Sequence, residues 1–279
     1  MRLFTKQEDE YIISNYKYGT KACANKLRIS YDTLLYRAIF LGIKKSKKGK
    51  RNSKIPLKIF TEDFIKESVY ILGLIWADGS VRDRKIISSF RYDDGIIFEQ
   101  FFNKTGQWKC SDLMPTRGKL QRKIIGYSTD LCEFLVKNDY NVKTSASADK
   151  ILSKIPENLK HYWFRGLFDG DGYITYCTRG SYFLCICSSY EQNWRYMASL
   201  CEKLKIKYQI RQNIQKNGNK SSEFCITNKN GIKLFCEYIY GNRENDLIGL
   251  NRKYSKWIEI KNFIINREIT GVAKSKIFT

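Results

Sequence analysis

The chain has 279 residues, 43% of them hydrophobic, enough for two or three compact units at ~100–200 residues per domain. Its 50 Lys and Arg outnumber 28 Asp and Glu, and the resulting charge of +22 predicts attraction to a polyanion. No apolar run approaches the ~20 residues that span a bilayer, and Met1-Arg2-Leu3-Phe4-Thr5 leads into a polar helix, so nucleic acid rather than a membrane is the expected partner.

Residues 1–45 read as three short helices. Thr5-Lys6-Gln7-Glu8 has capping-box spacing and opens a helix carrying Tyr11, Ile12 and Tyr16 that stops near Gly19. Thr20 caps a second helix through Leu27, and Ser30 caps a third, Tyr31 to Leu41, with Gly42 as its stop. The tight turn before the third helix is similar to that of Myb-type and phage helix-turn-helix modules, which implies a helix that enters a major groove. A small helical docking domain is the alternative. The following run, Lys44-Lys45-Ser46-Lys47-Lys48-Gly49-Lys50-Arg51, repels itself and has no apolar content. It predicts an extended basic linker, residues 46–56, that adds sequence-blind phosphate affinity.

After Pro56 helix-like and strand-like pieces alternate, and their order appears twice, in residues 57–155 and 156–279. The first half has strands at Ile86–Tyr92, Lys109–Thr116 and Lys119–Tyr127, with helices at Ile96–Phe102 and Asp130–Val136. The second has strands at Tyr173–Cys177, Tyr182–Ser188, Lys207–Gln215 and Ser222–Thr227, with helices at Trp194–Leu204 and Ile232–Ile239. Two α+β repeats on one chain predict a pseudo-twofold protein, and palindrome-like DNA mirrors such symmetry.

Each repeat opens with nearly the same segment. Ile71-Leu72-Gly73-Leu74-Ile75-Trp76-Ala77-Asp78-Gly79 is echoed by Phe164-Arg165-Gly166-Leu167-Phe168-Asp169-Gly170-Asp171-Gly172. Small residues four apart, Gly73 with Ala77 and Gly166 with Gly170, give each helix a smooth stripe for close approach of the other. Their ends then converge, and with them Asp78 and Asp171. A carboxylate at a helix C-terminus is unfavourable by ~0.3–1 kcal/mol, so two of them call for a cation, and Mg²⁺ prefers such oxygen ligands. Gly79 and Gly172 read as left-handed stops. A single Asp-Gly would be no more than a helix stop; its recurrence after 93 residues argues for a site.

The chain here resembles the LAGLIDADG homing endonucleases of the single-chain, two-motif type, over roughly residues 60–260. The second segment matches the signature with both acids, the first with Trp76 in place of one, and Glu244–Leu250 with Tyr254 and Trp257 resembles the closing helix. The resemblance implies two saddle-shaped antiparallel sheets in αββαββα-like repeats. It implies a site-specific double-strand DNA endonuclease, a monomer using Mg²⁺ or Mn²⁺ on a long near-palindromic target. Asp78 and Asp171 would be the catalytic metal ligands, helped by the carbonyls of Ala77 and Gly170, with Lys229 as a basic helper. An intron-encoded or free-standing origin in a bacterial or phage-infected cytoplasm is expected. A non-cleaving helix-turn-helix regulator and an intron RNA maturase are the alternatives.

Alternation marks DNA-reading faces. Lys207, Gln209, Arg211, Asn213 and Gln215 share one side of a strand whose other side carries Tyr208, Ile210 and Ile214, expected to pack inward. Arg117, Lys119, Gln121 and Lys123 alternate likewise with Leu120 and Ile124. These cationic and amide side chains suit base edges in the major groove, and neither stripe contains an acid. The lone histidine, His161, excludes chemistry built on a histidine cluster. The nine cysteines, odd in number and without a C-x-x-C pair, read as reduced thiols of a cytosolic protein.

Overall fold

The computed structural model describes residues 4–16, 20–43, 54–82, 84–114, 118–176, 181–214, 218, 220–241 and 246–275. The chain forms two compact units, Met1–Asn52 and Ser53–Thr279. Of the expected basic linker, residues 46–56, only 54–56 are among the described residues.

The first unit holds α1 (Lys6–Asn15), α2 (Thr20–Lys26) and α3 (Tyr31–Phe40). The capping box forms: the Glu8 amide donates to Thr5 Oγ1 at 3.2 Å and the Thr5 amide to Glu8 at 2.9 Å. Ser30 accepts from the Thr33 amide. Gly42, at φ +67°, lets the Ile43 amide reach back to the Ala38 carbonyl and close α3. Ile12, Cys23, Leu34 and Ala38 form the small core, and Arg37 grips Asp9 with two guanidinium nitrogens.

The second unit repeats one order. After the short α4 (Lys58–Thr61) come α5 (Lys66–Asp78), β1 (Gly79–Arg82), β2 (Lys85–Arg91), α6 (Tyr92–Lys104), β3 (Lys109–Leu113), β4 (Gln121–Tyr127) and α7 (Thr129–Lys137). A turn of helix, α8 (Asp149–Leu152), leads to α9 (Lys160–Asp171), β5 (Gly172–Tyr176), β6 (Tyr182–Ser188), α10 (Arg195–Lys203), β7 (Gln209–Ile214), β8 (Lys220–Ile226) and α11 (Lys229–Tyr240). The closing helix α12 spans Asn251–Ser275. The αββαββα order expected of each repeat is therefore present, in a mixed α+β unit with two antiparallel four-stranded sheets. Their orders, β1-β2-β4-β3 and β5-β6-β8-β7, correspond.

In each sheet alternate side chains face the helices and carry the core. Ile86, Phe90 and Ile124 fill that side of the first sheet, and Leu184, Ile186, Phe224 and Ile226 that of the second. The opposite side of each sheet is the more exposed one, although Cys185 and Cys225 at the centre of the second are covered by their neighbours. Register puts Ile210 opposite Phe224 on the helix side as expected, yet Ile210 and Ile214 are 47% and 78% exposed. β7 is an edge strand, and only Tyr208, just before it and stacked on Phe224, packs inward. Burial of those isoleucines is thus corrected by the structure.

Candidate active site

α5 and α9 pack backbone to backbone because their glycines leave no other option. A Cβ on Gly73 would lie 2.1 Å from the Trp163 carbonyl oxygen, and one on Gly166 would lie 2.1 Å from that of Tyr70. A Cβ on Gly170 would lie 2.4 Å from the Ala77 Cβ and 3.5 Å from an Asp78 carboxylate oxygen. Gly73, Ala77, Gly166 and Gly170 thus form the helix interface, and Asp78 reaches over the end of the partner helix.

Gly79 and Gly172 do not adopt the left-handed conformation expected of them. Both are extended, at φ −89°, and start β1 and β5. Glycine is needed for space instead: a Cβ would lie 2.6 Å from the carbonyl oxygen of Ile75 or of Phe168. The chain passes directly from helix into strand, and each aspartate stands at that junction.

Solvent reaches Asp78 freely and Asp171 partly. The surrounding protein still disfavours their charge. Desolvation and the Asp78 charge push the Asp171 carboxyl up to about 7; desolvation also raises Asp78, against the pull of Lys143 and Lys253. Neither carboxylate takes part in a hydrogen bond or ion pair among the described contacts; they interact electrostatically with each other and with the two lysines. Two adjacent, solvent-accessible carboxylates that repel one another are a donor set that fits a hard divalent cation.

The two lysines escaped the sequence reading. Lys143 Nζ donates to the carbonyls of Ile75, Trp76 and Ala77 at 3.2, 2.6 and 2.7 Å. Lys253 Nζ, buried under α9, donates to those of Phe168, Asp169 and Gly172 at 2.6, 2.8 and 2.5 Å. Each neutralises the negative end of one motif helix. The Ala77 carbonyl, expected to turn to a metal, is thereby committed to an ammonium group, whereas Lys253 leaves that of Gly170 aside. The only sequence trace of the pair is a shared Asn-x-Lys, Asn141-Val142-Lys143 and Asn251-Arg252-Lys253.

The second acid of the second motif is structural. Asp169 is buried and accepts from Tyr70 Oη at 2.7 Å and from the Leu250 amide at 2.9 Å. Arg165, also buried, donates to the carbonyls of Ile239 and Ile248 and to Asp246. Together they fasten the segment that leads into α12 and so place Lys253. Trp76, at the position equivalent to Asp169, packs edge-on against Tyr140 and Tyr196 instead.

Residues 158–240 match the sequence profile of the LAGLIDADG-like domain, and the first repeat has the same element order and the same Asp-Gly junction. Residues 158–240 are identified as a LAGLIDADG-like domain. No curated protein sequence matches it. Among solved structures it is similar to full-length DUF199/WhiA from Thermatoga maritima, with 20% identity, TM-score 0.46, and coverage of 77% of this chain and 69% of that one. It is also similar to I-DmoI in complex with its target DNA in the presence of Mg, with 12% identity, TM-score 0.43, and coverage of 62% and 95%. Variants of the homing endonuclease I-DmoI match with 14% identity, TM-score 0.41, and coverage of 63% and 96%.

The sheet faces turned away from the helices hold most of the expected DNA-reading residues. On the first sheet, register places Gln121 and Lys123 on the open side with Arg82, Lys85, Arg91 and Lys109, which the sequence reading did not single out. No acid shares that side among the described residues. Lys119 is exposed in the loop before β4, and Arg117 lies outside the described residues. On the second sheet Gln209, Arg211 and Asn213 share the open side, Lys207 is exposed just before β7, and Gln215 lies outside the described residues. This face does contain an acid: Glu223 stands opposite Arg211.

Lys229 is not on the sheet. It is the first residue of α11, past the end of β8. The part of β8 level with Gly172, and hence with Asp171, is Phe224, which pairs with the same Ile186. The expected basic helper is thus displaced along the strand away from the acids, and Lys143 and Lys253 are the cations that face them.

Proposed function

We propose that this protein is a divalent-metal-dependent, site-specific double-strand DNA endonuclease, with Asp78 and Asp171 as the metal ligands, one from each repeat. The observation that carries this reading is the convergence of the two carboxylates at the helix-to-strand junctions, open to solvent and without hydrogen-bond partners among the described contacts. A divalent cation, when bound, supplies charge neutralisation at a phosphodiester and eases ionisation of water.

The chain's own residues set the rest. The basic face of the first sheet, with Lys85, Arg91, Lys109 and Lys123, draws the DNA backbone and offers donors to guanine O6 and N7. Arg211, Gln209 and Asn213 do the same on the second. Lys143 and Lys253 hold the helix ends electrically neutral, so the aspartates lean on no other group for that purpose. The first unit, with α3 as the candidate recognition helix, adds affinity outside the cleaved stretch. Among the described residues no helix is long and apolar enough to cross a membrane.

A second reading, a DNA-binding protein that does not cut, is favoured by the lysine that already occupies the Ala77 carbonyl. One experiment separates them: incubation with a randomised duplex library and Mg²⁺, followed by sequencing of the ends. Cleavage predicts ends clustered at one sequence, abolished by Asp78→Asn or Asp171→Asn while binding persists. Selective binding with no ends produced would overturn the endonuclease reading and leave the second.

A further inference from the structure

We propose that the open face of the second sheet carries a separate, thiophilic metal site, with Cys185, Glu223 and Cys225 as ligands for a borderline divalent cation such as Zn²⁺. β6 and β8 are the central strands of that sheet, and their register sets Cys185 opposite Cys225 and Cys187 opposite Glu223. All four therefore point to the same side. The ligand atoms of Cys185, Glu223 and Cys225 lie within 4.8 Å of one another, the two sulfurs at 2.6 Å. The Glu223 carboxylate spans the group, with one oxygen 3.9 Å from Cys225 Sγ and the other 3.8 Å from Cys187 Sγ.

Glu223 is the residue that needs an explanation. It is a half-buried acid on a face where Arg211 is the only other charge among the described strand residues; Tyr173, Thr175, Phe183 and Ser221 share that face with the thiols and amides. Arg211 is its cross-strand neighbour yet turns its guanidinium towards Gln209, at 3.5 Å. The partners of the carboxylate are thiols, which are weak donors and poor compensation for a buried charge. Two thiolates and a carboxylate are instead a familiar donor set for Zn²⁺, and one that Mg²⁺ rejects. With Zn–S near ~2.3 Å, tetrahedral sulfurs lie about 3.8 Å apart, so the two cysteines separate by about 1 Å through side-chain rotation. Cys187 or a water completes the fourth position.

With a water in the fourth position, the Cys185 and Cys225 thiols give up two protons as two positive charges enter. The face keeps its net charge, and the effect of the metal is mechanical: it cross-links β6 and β8 beside Arg211.

The test uses the full chain, reduced with a phosphine and titrated with Co²⁺. The expected result is one equivalent that brings up sulfur-to-cobalt charge-transfer bands and tetrahedral ligand-field bands, apart from any Co²⁺ held by the two aspartates, and Zn²⁺ removes both sets of bands. Cys225→Ser should weaken binding about 100-fold and Glu223→Gln about 10-fold. Asp78→Asn should leave the thiolate bands intact, which separates this site from the one between the helices. Urea unfolding without metal checks that Glu223→Gln folds as the parent does; should Cys225→Ser not fold, Glu223→Gln and Cys187→Ser carry the comparison. Absence of thiolate bands, bands unchanged in Glu223→Gln, or a protein whose Cys185 and Cys225 titrate as a disulfide would overturn the proposal.

Discussion

Replacing Asp171 with Asn should stabilise the metal-free protein at neutral pH. The Asp171 carboxyl is raised from its ordinary 3.8 to about 7 by desolvation and by Asp78. A native acid raised in this way binds its proton more tightly than the unfolded chain does. Its contribution to stability is therefore full below pH 3.8 and disappears as pH climbs through 7, so that above pH 7 the ionised site is a net cost. The full interval corresponds to about 4 kcal/mol. Solvent access to Asp171 and the counter-charges of Lys143 and Lys253 reduce that to about 1–2 kcal/mol. The assay is urea unfolding of parent and Asp171→Asn at pH 5 and pH 7.5, with chelator and with Mg²⁺. The parent should lose stability relative to the variant as pH rises, and Mg²⁺ should restore it in the parent alone. A variant less stable than the parent at pH 7.5, or a parent indifferent to Mg²⁺, would refute the picture of two repelling carboxylates that await a cation.

Lys253→Met should cost about 3 kcal/mol or more, since three helix-end carbonyls lose their donor inside the protein, and Lys143→Met should cost less because its site is more open; thermal unfolding checks both. Gly166→Ala should destabilise by about 3 kcal/mol, because its Cβ would meet the Tyr70 carbonyl oxygen and force the helices apart, and denaturant midpoints measure it. Lys123→Ala and Arg211→Ala should each relax preference at one or two base pairs in a binding selection, whereas Lys109→Ala should weaken all sequences alike and lower the salt dependence by about one ion.

The local signals in the sequence were reliable where one short segment decides the outcome. Thr5 and Glu8 formed their reciprocal cap, Tyr182–Ser188 formed a strand with the expected bounds, and the small residues of the duplicated segments proved to be the contact of α5 with α9. What was not legible depends on contacts between distant parts of the chain. Lys143 and Lys253 reach helix ends 66 and 85 residues away at the nearest and farthest, so no periodicity announces them. Ile210 and Ile214 alternate as buried residues should, but burial also requires a helix above the strand, and β7 lies at the edge. Gly79 and Gly172 were misread because Asp-Gly after a helix usually signals a stop; here the next strand begins at once, and the missing side chain serves packing. Glu223 was invisible to a reading of single stripes, since it enters the face from the neighbouring strand.

Diffraction from crystals soaked in Mn²⁺, with anomalous maps, addresses the two aspartates most directly. One peak within coordination distance of both Asp78 and Asp171, absent in Asp171→Asn crystals, is the result expected. Carboxylates closed onto Lys143 and Lys253, with no ion between them at saturating Mn²⁺, would contradict it.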